Sequence, residues 1–350
     1  MRPSEWRKDK IIVITGCCGS IGAALVRRLL TNDDYKTCQV VGLDNNENGI
    51  FKIEEEWAGK NARFYIADVR DQHSLYQRFA DANVVLHCAA LKHVYQCEKA
   101  PGEAVKTNIL GVEAVIAAAR DAGVRRVLFT SSDKAVNPTN VMGTSKLMGE
   151  RLITAANASP NNSTIFASTR FGNVLGSRGS VVEVFQRQIA AGGPVTLTSP
   201  EMTRFVMSIN QAVDLLLESV GLACGGEVFI TKMPVISIEM LAEVMIEHMA
   251  KSYGYLPEDI KINEVGLRAG EKMYEELLTV EETRRTVELK DFFVVKPAFT
   301  GVYSRARYEY SAALRDSVEC SYISSGEPKL TKQEIFALLV RTGLLNTKDA

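Results

Sequence analysis

The fold of this chain is decided by one stretch, Thr15-Gly16-Cys17-Cys18-Gly19-Ser20-Ile21-Gly22. Residues 10–15 are rich in β-branched side chains and predict a buried parallel strand, and residues 23–30 have helical character. In this strand–turn–helix setting, glycines let the backbone approach a pyrophosphate, which the N–H groups and positive dipole end of the helix attract. The stretch therefore predicts a dinucleotide site. We assign its contacts to Thr15, Gly16, Gly19, Ser20, Ile21 and Gly22.

An acidic residue indicates which dinucleotide binds. The second predicted strand, residues 39–43, ends at Asp44, about twenty positions after the glycines. A carboxylate there binds the adenosine ribose hydroxyls and repels a 2′-phosphate, and no arginine immediately follows. The pattern favours NAD over NADP, with Asp44 and Asn45 as contacts. A helix cap or a turn is the alternative explanation of these residues.

Two further predicted strands are each followed by residues suited to the cofactor. Residues 63–67 lead into Asp68-Val69, which we expect at the adenine edge. Residues 83–88 lead into Ala89-Ala90-Leu91-Lys92-His93, where small side chains would let the backbone lie against the cofactor. Lys92 and His93 would then face the substrate cleft, although a satisfied loop residue is the alternative for His93. The cofactor contacts assigned here are Asp68, Val69, Ala89, Ala90 and Lys92.

The alternation of strands and helices defines the fold class. It predicts an α/β protein with a Rossmann-type doubly wound parallel sheet, whose NAD-binding domain covers residues 1–170. A long helix predicted over residues 103–122 carries Asn108, which we add to the cofactor contacts. After residue 170 the alternation becomes irregular. Residues 171–350 are therefore predicted to form mainly a smaller substrate-binding lobe, interleaved with the first domain.

The composition excludes several classes of protein. The 350 residues are 46% apolar and 24% charged, with a net charge of -1, so we expect no nucleic-acid surface. Seven cysteines without paired spacing favour a reducing cytoplasm, and four histidines fit no metal-ligand spacing. No apolar run has the length of a membrane span or a signal core. We therefore expect a cytoplasmic protein with no metal and no membrane partner.

A second stretch, Thr130-Ser131-Ser132-Asp133-Lys134, carries an acid beside a base. It follows residues 126–129, an apolar run that predicts a strand, and open α/β sheets place their chemistry at the carboxyl ends of strands. Neighbouring residues of an extended segment point to opposite sides, so Asp133 and Lys134 can face one substrate only where the chain turns. Asn137-Pro138 fits such a turn. The alternative for the pair is a surface ion pair.

Together these motifs resemble the extended short-chain dehydrogenases/reductases. The resemblance rests on the glycine pattern, Asp44, the loop 89–93 and the block 132–140, and it covers most of the chain. More narrowly, the chain is similar to the nucleotide-sugar 4,6-dehydratases that act on N-acetylglucosamine nucleotides and supply bacillosamine, legionaminic and related sugars. This resemblance implies a hydro-lyase with tightly bound, regenerated NAD, which turns UDP- or GDP-N-acetylglucosamine into a 4-keto-6-deoxy sugar.

One residue departs from the broader family pattern. Met142 stands where the Y-x-x-x-K motif has its tyrosine, while the lysine, Lys146, remains. Because methionine cannot ionise, no phenolate at this position can take a hydroxyl proton. Some branches of the 4,6-dehydratases share the replacement, so an inactive protein does not follow from it.

The resemblance then implies roles for the acid–base stretch. Lys134 would be the base at C5 of the sugar, and Asp133 would protonate the departing C6 hydroxyl. Asp133 would also take the C4 proton, directly or through a serine hydroxyl or water, and Lys146 would hold the nicotinamide ribose. The catalytic residues that we assign are Asp133, Lys134, Ser131, Ser132 and Lys146.

Three later segments extend the resemblance, namely residues 170–174, 201–205 and 266–272. In relatives such segments close over the nucleotide sugar, and guanidinium groups fork onto phosphate oxygens. Arg204 and Arg268 are the natural pyrophosphate partners, and the alternative for each is a solvated charge or an interdomain salt bridge. The substrate contacts that we assign are Lys92, His93, Asn173, Arg204, Arg268 and Glu271.

Other functions stay open at this point. The same fold would serve a 4,6-dehydratase that inverts C5, or a nucleotide-sugar epimerase. Outside catalysis, Met142 leaves a non-catalytic NAD-binding regulatory protein as an alternative, although the intact Asp133-Lys134 pair speaks against it. By analogy with the superfamily we expect a homo-oligomer, formed through the apolar helices predicted at residues 103–122 and 141–156.

Overall fold

The computed structural model describes residues 5–8, 10–158, 163–267, 270–299 and 306–345. The chain divides into two units, each assembled from three separated stretches. The first unit comprises Met1–Phe171, Asn210–Lys232 and Thr279–Ser321. The second comprises Gly172–Ile209, Met233–Leu278 and Tyr322–Ala350.

The strands of the described chain are β1 (Ile11–Thr15), β2 (Gln39–Asp44), β3 (Ala62–Ile66), β4 (Val84–His87), β5 (Arg126–Ser132), β6 (Ile165–Phe171), β7 (Asn173–Val174), β8 (Val195–Leu197), β9 (Thr203–Met207), β10 (Val228–Thr231), β11 (Val235–Ser237), β12 (Ile262–Glu264), β13 (Glu276–Leu278), β14 (Thr286–Glu288), β15 (Phe292–Val295) and β16 (Tyr322–Ile323). The α-helices are α1 (Ser20–Thr31), α2 (Glu47–Glu56), α3 (Gln72–Phe79), α4 (Val94–Lys99), α5 (Pro101–Ala104), α6 (Gly111–Asp121), α7 (Val141–Ala155), α8 (Val181–Ala190), α9 (Ile209–Leu222), α10 (Ile238–Met249), α11 (Val280–Thr283) and α12 (Lys332–Arg341).

One large sheet organises the first unit. Its strand order is β14-β15-β10-β6-β5-β4-β1-β2-β3. The strands from β3 to β10 are parallel, whereas β15 and β14 are antiparallel to their neighbours. The stretch β3-β2-β1-β4-β5-β6 has the Rossmann order, in which ligands bind beside the reversal point between β1 and β4. This topology confirms the predicted α/β fold with a doubly wound parallel sheet.

Apolar side chains of the parallel strands hold the sheet against its helices. Val85 and Phe129 from the strands pack in one buried cluster with Phe79 of α3 and Val115 of α6. The nearly continuous burial along β1 and β4 fits strands that are covered on both faces of the sheet.

The second unit has its own core and smaller sheets. Its sheets are β11-β9-β7, β12-β8 and β13-β16. Phe185 of α8, Leu241 of α10 and Leu338 of α12 are buried together in one apolar cluster. Irregular alternation in the sequence thus corresponds to short strands among helices.

Several boundaries differ from the sequence expectations. Helix α1 begins at Ser20, so the last glycine of the motif lies inside it. The helix predicted over residues 103–122 consists of α5, a π-helical turn at Val105–Leu110, and α6. Residues Val235–Ser237 form the short strand β11, in the part of the chain where the sequence alternation is irregular. Local periodicity does not predict a π-helical turn or a short strand, because tertiary hydrogen bonds decide both.

Candidate functional site

The glycine-rich turn between β1 and α1 is built from close backbone contacts. Gly16 has φ +71°, and a Cβ added to it would lie 2.7 Å from the Ala89 nitrogen. A Cβ on Gly22 would lie 2.1 Å from the Gly16 oxygen. These distances require glycine at both positions, and they bring the start of α1 against the ends of β1 and β4. Ser20 and Ile21 thereby occupy the first turn of α1, where a helix favours negative charge.

A cavity of about 420 Å³ lies at this end of the sheet. Eight of the residues assigned to the cofactor from the sequence line it: Gly16, Gly19, Asp44, Asn45, Asp68, Val69, Ala89 and Ala90. Sequence reasoning missed further lining residues: Leu43, Ala67, Arg70, Cys88, Leu91, Glu103 and Thr107. The position beside the reversal of strand order is the one that open α/β sheets use for nucleotides.

Asp44 stands at the end of β2 with its carboxylate held by backbone groups. Its Oδ2 accepts a hydrogen bond from the Cys18 nitrogen at 2.9 Å, and its Oδ1 accepts one from the Asn46 nitrogen at 3.0 Å. Each carboxylate oxygen keeps a further lone pair, so the group is oriented and still able to accept hydroxyl donors.

Arg70 binds the carboxylate of Asp68, which follows the end of β3. It donates hydrogen bonds to both oxygens of Asp68, with its Nε at 2.9 and 3.0 Å, and its second terminal nitrogen lies 2.6 Å from Oδ2. These bonds lower the pKa of Asp68. Arg70 also contacts Glu103 at 3.2 Å. The available signal was the short separation of the two residues, which lie two positions apart in the sequence.

Asn108 holds the backbone of the loop that forms one wall of the cavity. Its Oδ1 accepts from the Leu91 nitrogen at 2.8 Å, and its Nδ2 donates to the Leu91 oxygen and to Ser145 Oγ, each at 2.9 Å. The π-helical turn carries the side chain into this position. The structure therefore places Asn108 as a support of the loop after β4, and it does not place it among the cavity-lining residues.

Thr15 is likewise buried behind the cavity. Its Oγ1 lies 2.7 Å from His87 Nδ1, and both side chains are fully buried. Burial lowers the pKa of His87 to about 3, so the imidazole is neutral. Within the described residues His87 Nε2 has no hydrogen-bond partner. Thr15 thus links the ends of β1 and β4.

The acid–base stretch leaves β5 through a tight turn, as predicted. Residues Asp133–Ala135 form a 3-10 turn capped by Ser132, and Asn137 has φ +43°, a left-handed conformation that asparagine tolerates. Asp133 Oδ1 accepts from Ser132 Oγ at 2.7 Å, from the Lys134 nitrogen at 2.9 Å and from Lys134 Nζ at 3.0 Å. Because the turn starts at Asp133, both functional groups meet instead of pointing to opposite sides.

The same stretch holds two buried polar atoms that the described residues leave without a hydrogen-bond partner. They are Asp133 Oδ2 and Ser131 Oγ. Asp133 is 1% exposed, whereas the Lys134 side chain is 26% exposed. An unsatisfied buried oxygen costs about 1–3 kcal/mol, so such atoms are typical of sites that receive a ligand or a water.

Lys146 lies beneath the end of β5. Its Nζ donates to the Thr130 oxygen at 2.9 Å and lies 4.7 Å from the centroid of the Phe129 ring. The side chain is buried, and burial lowers its pKa to about 8. One helical turn further on, Glu150 binds buried Arg170 with a distance of 2.9 Å.

Arg170 joins three elements of the first unit. Its guanidinium donates to Glu150 of α7 and to Glu282 of α11, with distances of 2.8–2.9 Å. Arg170 itself is on β6. The sequence singled out residues 170–174 by resemblance, but the partners lie 20 and 112 positions away, and no local signal indicated them.

Met142 fills the position of the missing tyrosine with apolar packing. It is 3% exposed and lies in a small cluster with Cys97 and Ala104. Ser145, on the same helix, donates to the Met142 oxygen at 2.7 Å. Position 142 therefore contributes packing between α4 and α7.

The residues assigned to the substrate are distributed over both units. In the first, Lys92 and His93 are exposed in the loop before α4. In the second, Asn173 begins β7, and Glu271 accepts from Thr198 Oγ1 at 3.1 Å. Arg268 lies outside the described residues.

Arg204 has a different environment from the one expected of a phosphate ligand. It is buried, and its guanidinium donates to the Thr203 oxygen at 2.7 Å and the Lys272 oxygen at 2.8 Å. It also lies 3.6 Å from the carboxylate of Glu275. These contacts assign Arg204 to holding the segment around residue 272, and its role toward a pyrophosphate stays a prediction.

Comparison with known proteins identifies the family. A family model described as "Polysaccharide biosynthesis protein" matches residues 12–297. The chain belongs to this family. An uncharacterized membrane protein of Methanocaldococcus jannaschii is 50% identical over 295 residues, which are 84% of this chain and 88% of that protein. No helix in the described ranges has the length and apolarity that a membrane crossing needs.

Two further known proteins are similar to this chain over nearly its whole length. A UDP-glucose 4-epimerase of Rickettsia bellii is 36% identical over 336 residues, which are 95% of this chain and 96% of that protein. Pen from Bacillus thuringiensis, whose X-ray structure is known, has 39% sequence identity to this chain. The two structures match with a TM-score of 0.87, and the match covers 96% of this chain and 98% of that chain.

Proposed function

We propose that the chain is an NAD-dependent nucleoside-diphosphate-N-acetylglucosamine 4,6-dehydratase, which forms a 4-keto-6-deoxy nucleotide sugar. The observation that carries the proposal is the Asp133–Lys134 pair at the end of β5, beside buried oxygens of Asp133 and Ser131 that have no hydrogen-bond partner among the described residues. The family match to polysaccharide biosynthesis proteins supports a sugar substrate. UDP-N-acetylglucosamine is the first candidate and its GDP counterpart the second.

The cavity fits a dinucleotide. Gly16 and Gly22 leave no room for a side chain where a pyrophosphate would approach, and the Asp44 carboxylate has acceptor capacity for two ribose hydroxyls. A carboxylate at this place repels a 2′-phosphate, so we propose NAD as the cofactor. Bound NAD would supply the hydride acceptor for C4 oxidation and the hydride for the final reduction at C6.

The paired side chains fit the proton transfers of a dehydration. Loss of water needs a base for the C5 proton and an acid for the C6 hydroxyl. The 3.0 Å contact between Lys134 Nζ and Asp133 Oδ1 is a path for one proton. The transfers balance when Lys134 starts as the amine: the Asp133 carboxylate takes the C4 proton and becomes the acid that protonates the C6 hydroxyl, while Lys134 takes the C5 proton and later returns it.

Because position 142 is a methionine, the group that accepts the proton of the C4 hydroxyl has to be found elsewhere in the site. Asp133 Oδ1 already receives three donors, so Oδ2 is the oxygen with capacity to accept. Ser131 Oγ is the second oxygen of the stretch for which the described part of the chain offers no hydrogen-bond partner. We propose that Asp133 Oδ2 takes this proton, directly or through Ser131.

An epimerase is the second candidate, because the Rickettsia bellii relative is a UDP-glucose 4-epimerase that aligns over 95% of this chain. Epimerisation at C4 needs one acid–base group at C4 and no acid at C6. A Lys134 amine and an Asp133 acid beside each other exceed that need. This surplus of acid–base groups favours the dehydratase.

One experiment distinguishes the candidates. Purified protein is incubated with UDP- and GDP-N-acetylglucosamine in deuterated water without added cofactor, and the products are followed by NMR. We expect a 4-keto-6-deoxy sugar that carries solvent deuterium at C5, whose configuration separates retention from inversion. A 4-epimer without deuterium at C5 would establish the epimerase, and no turnover of either nucleotide would refute both.

A variant pair tests the base. Lys134→Arg keeps a positive charge beside Asp133 but cannot lose its proton, so we expect dehydration to be abolished while NAD binding persists. Lys134→Ala should also be inactive. The matched control is Lys60→Ala at an exposed lysine in the turn before β3, which should retain wild-type turnover. Near-normal dehydration by Lys134→Arg would eliminate the lysine base.

A further inference from the structure

Two adjacent thiols sit inside the glycine-rich turn, next to the carboxylate of Asp44. Cys17 and Cys18 are both buried, and their sulfur atoms lie 3.9 Å apart. A carboxylate oxygen of Asp44 and both sulfurs all lie within 4.8 Å of one another. The proposed function uses neither thiol.

The surrounding backbone fixes both sulfurs. A Cβ added to Gly42 of β2 would lie 3.0 Å from Cys17 Sγ, and one added to Gly49 of α2 would lie 2.8 Å from Cys18 Sγ. Each sulfur therefore occupies space that a glycine leaves open. The two thiols are held in place by the packing of β2 and α2, as a preorganised ligand pair requires.

The spacing of the sulfurs has the dimensions of a metal chelate. In a tetrahedral zinc site with Zn–S bonds of about 2.3 Å, two sulfur ligands are about 3.8 Å apart. The observed separation of Cys17 Sγ and Cys18 Sγ is 3.9 Å. A disulfide would need about 2.05 Å, so the thiols are not covalently joined; they share a hydrogen bond, and its length matches the sulfur spacing around a bound ion.

Asp44 supplies a third ligand and a route of entry. Its Oδ2 accepts from the Cys18 nitrogen at 2.9 Å, so the carboxylate is already oriented toward the turn that carries the thiols. Asp44 also lines the cavity at the end of the sheet, where solvent would reach the remaining coordination position. Two soft sulfurs and one carboxylate form a set that suits Zn²⁺ or Cd²⁺ rather than Mg²⁺.

We propose that Cys17, Cys18 and Asp44 form a binding site for one thiophilic divalent cation, which competes with the dinucleotide for the Asp44 carboxylate. On binding, each thiol releases its proton to solvent and the thiolate donates a lone pair to the ion. The competition rests on the proposed cofactor site, whereas cation binding itself does not.

Cadmium is the probe, because its thiolate complexes absorb in the ultraviolet. Full-length protein, freed of co-purifying NAD and kept reduced with a phosphine, is titrated with Cd²⁺, and the sulfur-to-cadmium charge-transfer band is followed. We expect saturation at one ion per chain in the wild type. Cys17→Ser and Cys18→Ser should each lose the stoichiometric band, while Cys320→Ser, at an exposed cysteine, should keep it.

The second arm adds NAD before cadmium. At NAD concentrations of about 100 times its dissociation constant, competition should raise the apparent Kd of cadmium by about 100-fold. Asp44→Asn, which keeps both thiols, should weaken cadmium binding and remove this effect of NAD. If a serine variant loses its helical circular dichroism and so does not fold, the Asp44→Asn variant tests the cation site in its place.

The outcomes separate the claims. No band at one equivalent in the wild type, or a band that survives both serine substitutions, overturns the cation site. A cadmium affinity that is indifferent to NAD overturns the competition. Because no sugar nucleotide is present in these titrations, either failure leaves the proposed dehydratase activity to its own test.

Discussion

Replacing Lys146 with methionine should stabilise the folded protein while removing its activity. Burial lowers the pKa of Lys146 from 10.5 to about 8, a difference that corresponds to about 3 kcal/mol of unfavourable charge burial near neutral pH. Methionine keeps the apolar stem, removes that cost and loses the hydrogen bond to the Thr130 oxygen, worth about 1 kcal/mol. We therefore expect Lys146→Met to raise the free energy of unfolding by about 2 kcal/mol at about pH 7.

The pH dependence has a defined sign. Because the folded-state pKa is depressed, the wild type gains stability as the pH rises from about 8 to about 10.5, and it loses that contribution as the pH falls back through about 8. The methionine variant has no such term, so its advantage should shrink and then reverse across this window. Turnover should be lost, because the positive charge assigned to the nicotinamide ribose is gone.

Urea unfolding followed by circular dichroism measures the difference at about pH 7 and about pH 10. Lys60→Met, at an exposed lysine, is the matched control and should change stability by less than about 0.5 kcal/mol. The reasoning is refuted if Lys146→Met is less stable than the wild type at neutral pH by an amount that does not change with pH.

Three further substitutions test other parts of the site. Arg170→Met leaves the buried carboxylates of Glu150 and Glu282 without their shared arginine. It should lower the free energy of unfolding, measured in urea, by about 3–5 kcal/mol. Because the pKa of Glu282 is lowered to about 2, this deficit should narrow as the pH falls from about 4.5 toward 2, and a constant deficit would contradict it. Met142→Tyr forces a larger, polar group into a small apolar cluster and should cost about 1–3 kcal/mol without raising turnover, so a faster enzyme would contradict the packing role. Asp44→Asn should shift cofactor preference from NAD toward NADP in binding titrations, and an unchanged ratio would remove Asp44 from ribose recognition.

Two parts of the site were predictable because their causes are local. At Gly16 the backbone follows a path that leaves no room for a side chain, so the position requires glycine. Glycines between a predicted strand and a predicted helix therefore indicate such a turn in the sequence. The turn at Asp133 follows from a capping serine and a nearby Asn-Pro pair. In both cases a few neighbouring residues determine the geometry.

Other features depend on residues far apart in the chain. Asn108 was assigned to the cofactor, yet it bonds the backbone of Leu91, because a π-helical turn carries it there. Arg204 was predicted to bind a phosphate, which stays a prediction, and the structure shows its guanidinium bound to carbonyl oxygens around residue 272. A polar residue in a sequence does not specify its partner, since the choice depends on which donors and acceptors the fold buries together.

The sequence by itself determined the doubly wound sheet, the glycine-rich turn and the strand end that carries Asp133 and Lys134, because short-range sterics and periodicity encode them. Tertiary structure alone decided that Asp133 is buried and that its Oδ2 is left without a hydrogen-bond partner among the described residues. It also decided that Cys17 and Cys18 face Asp44. Such contacts follow from packing between separate elements, which no local pattern of residues specifies.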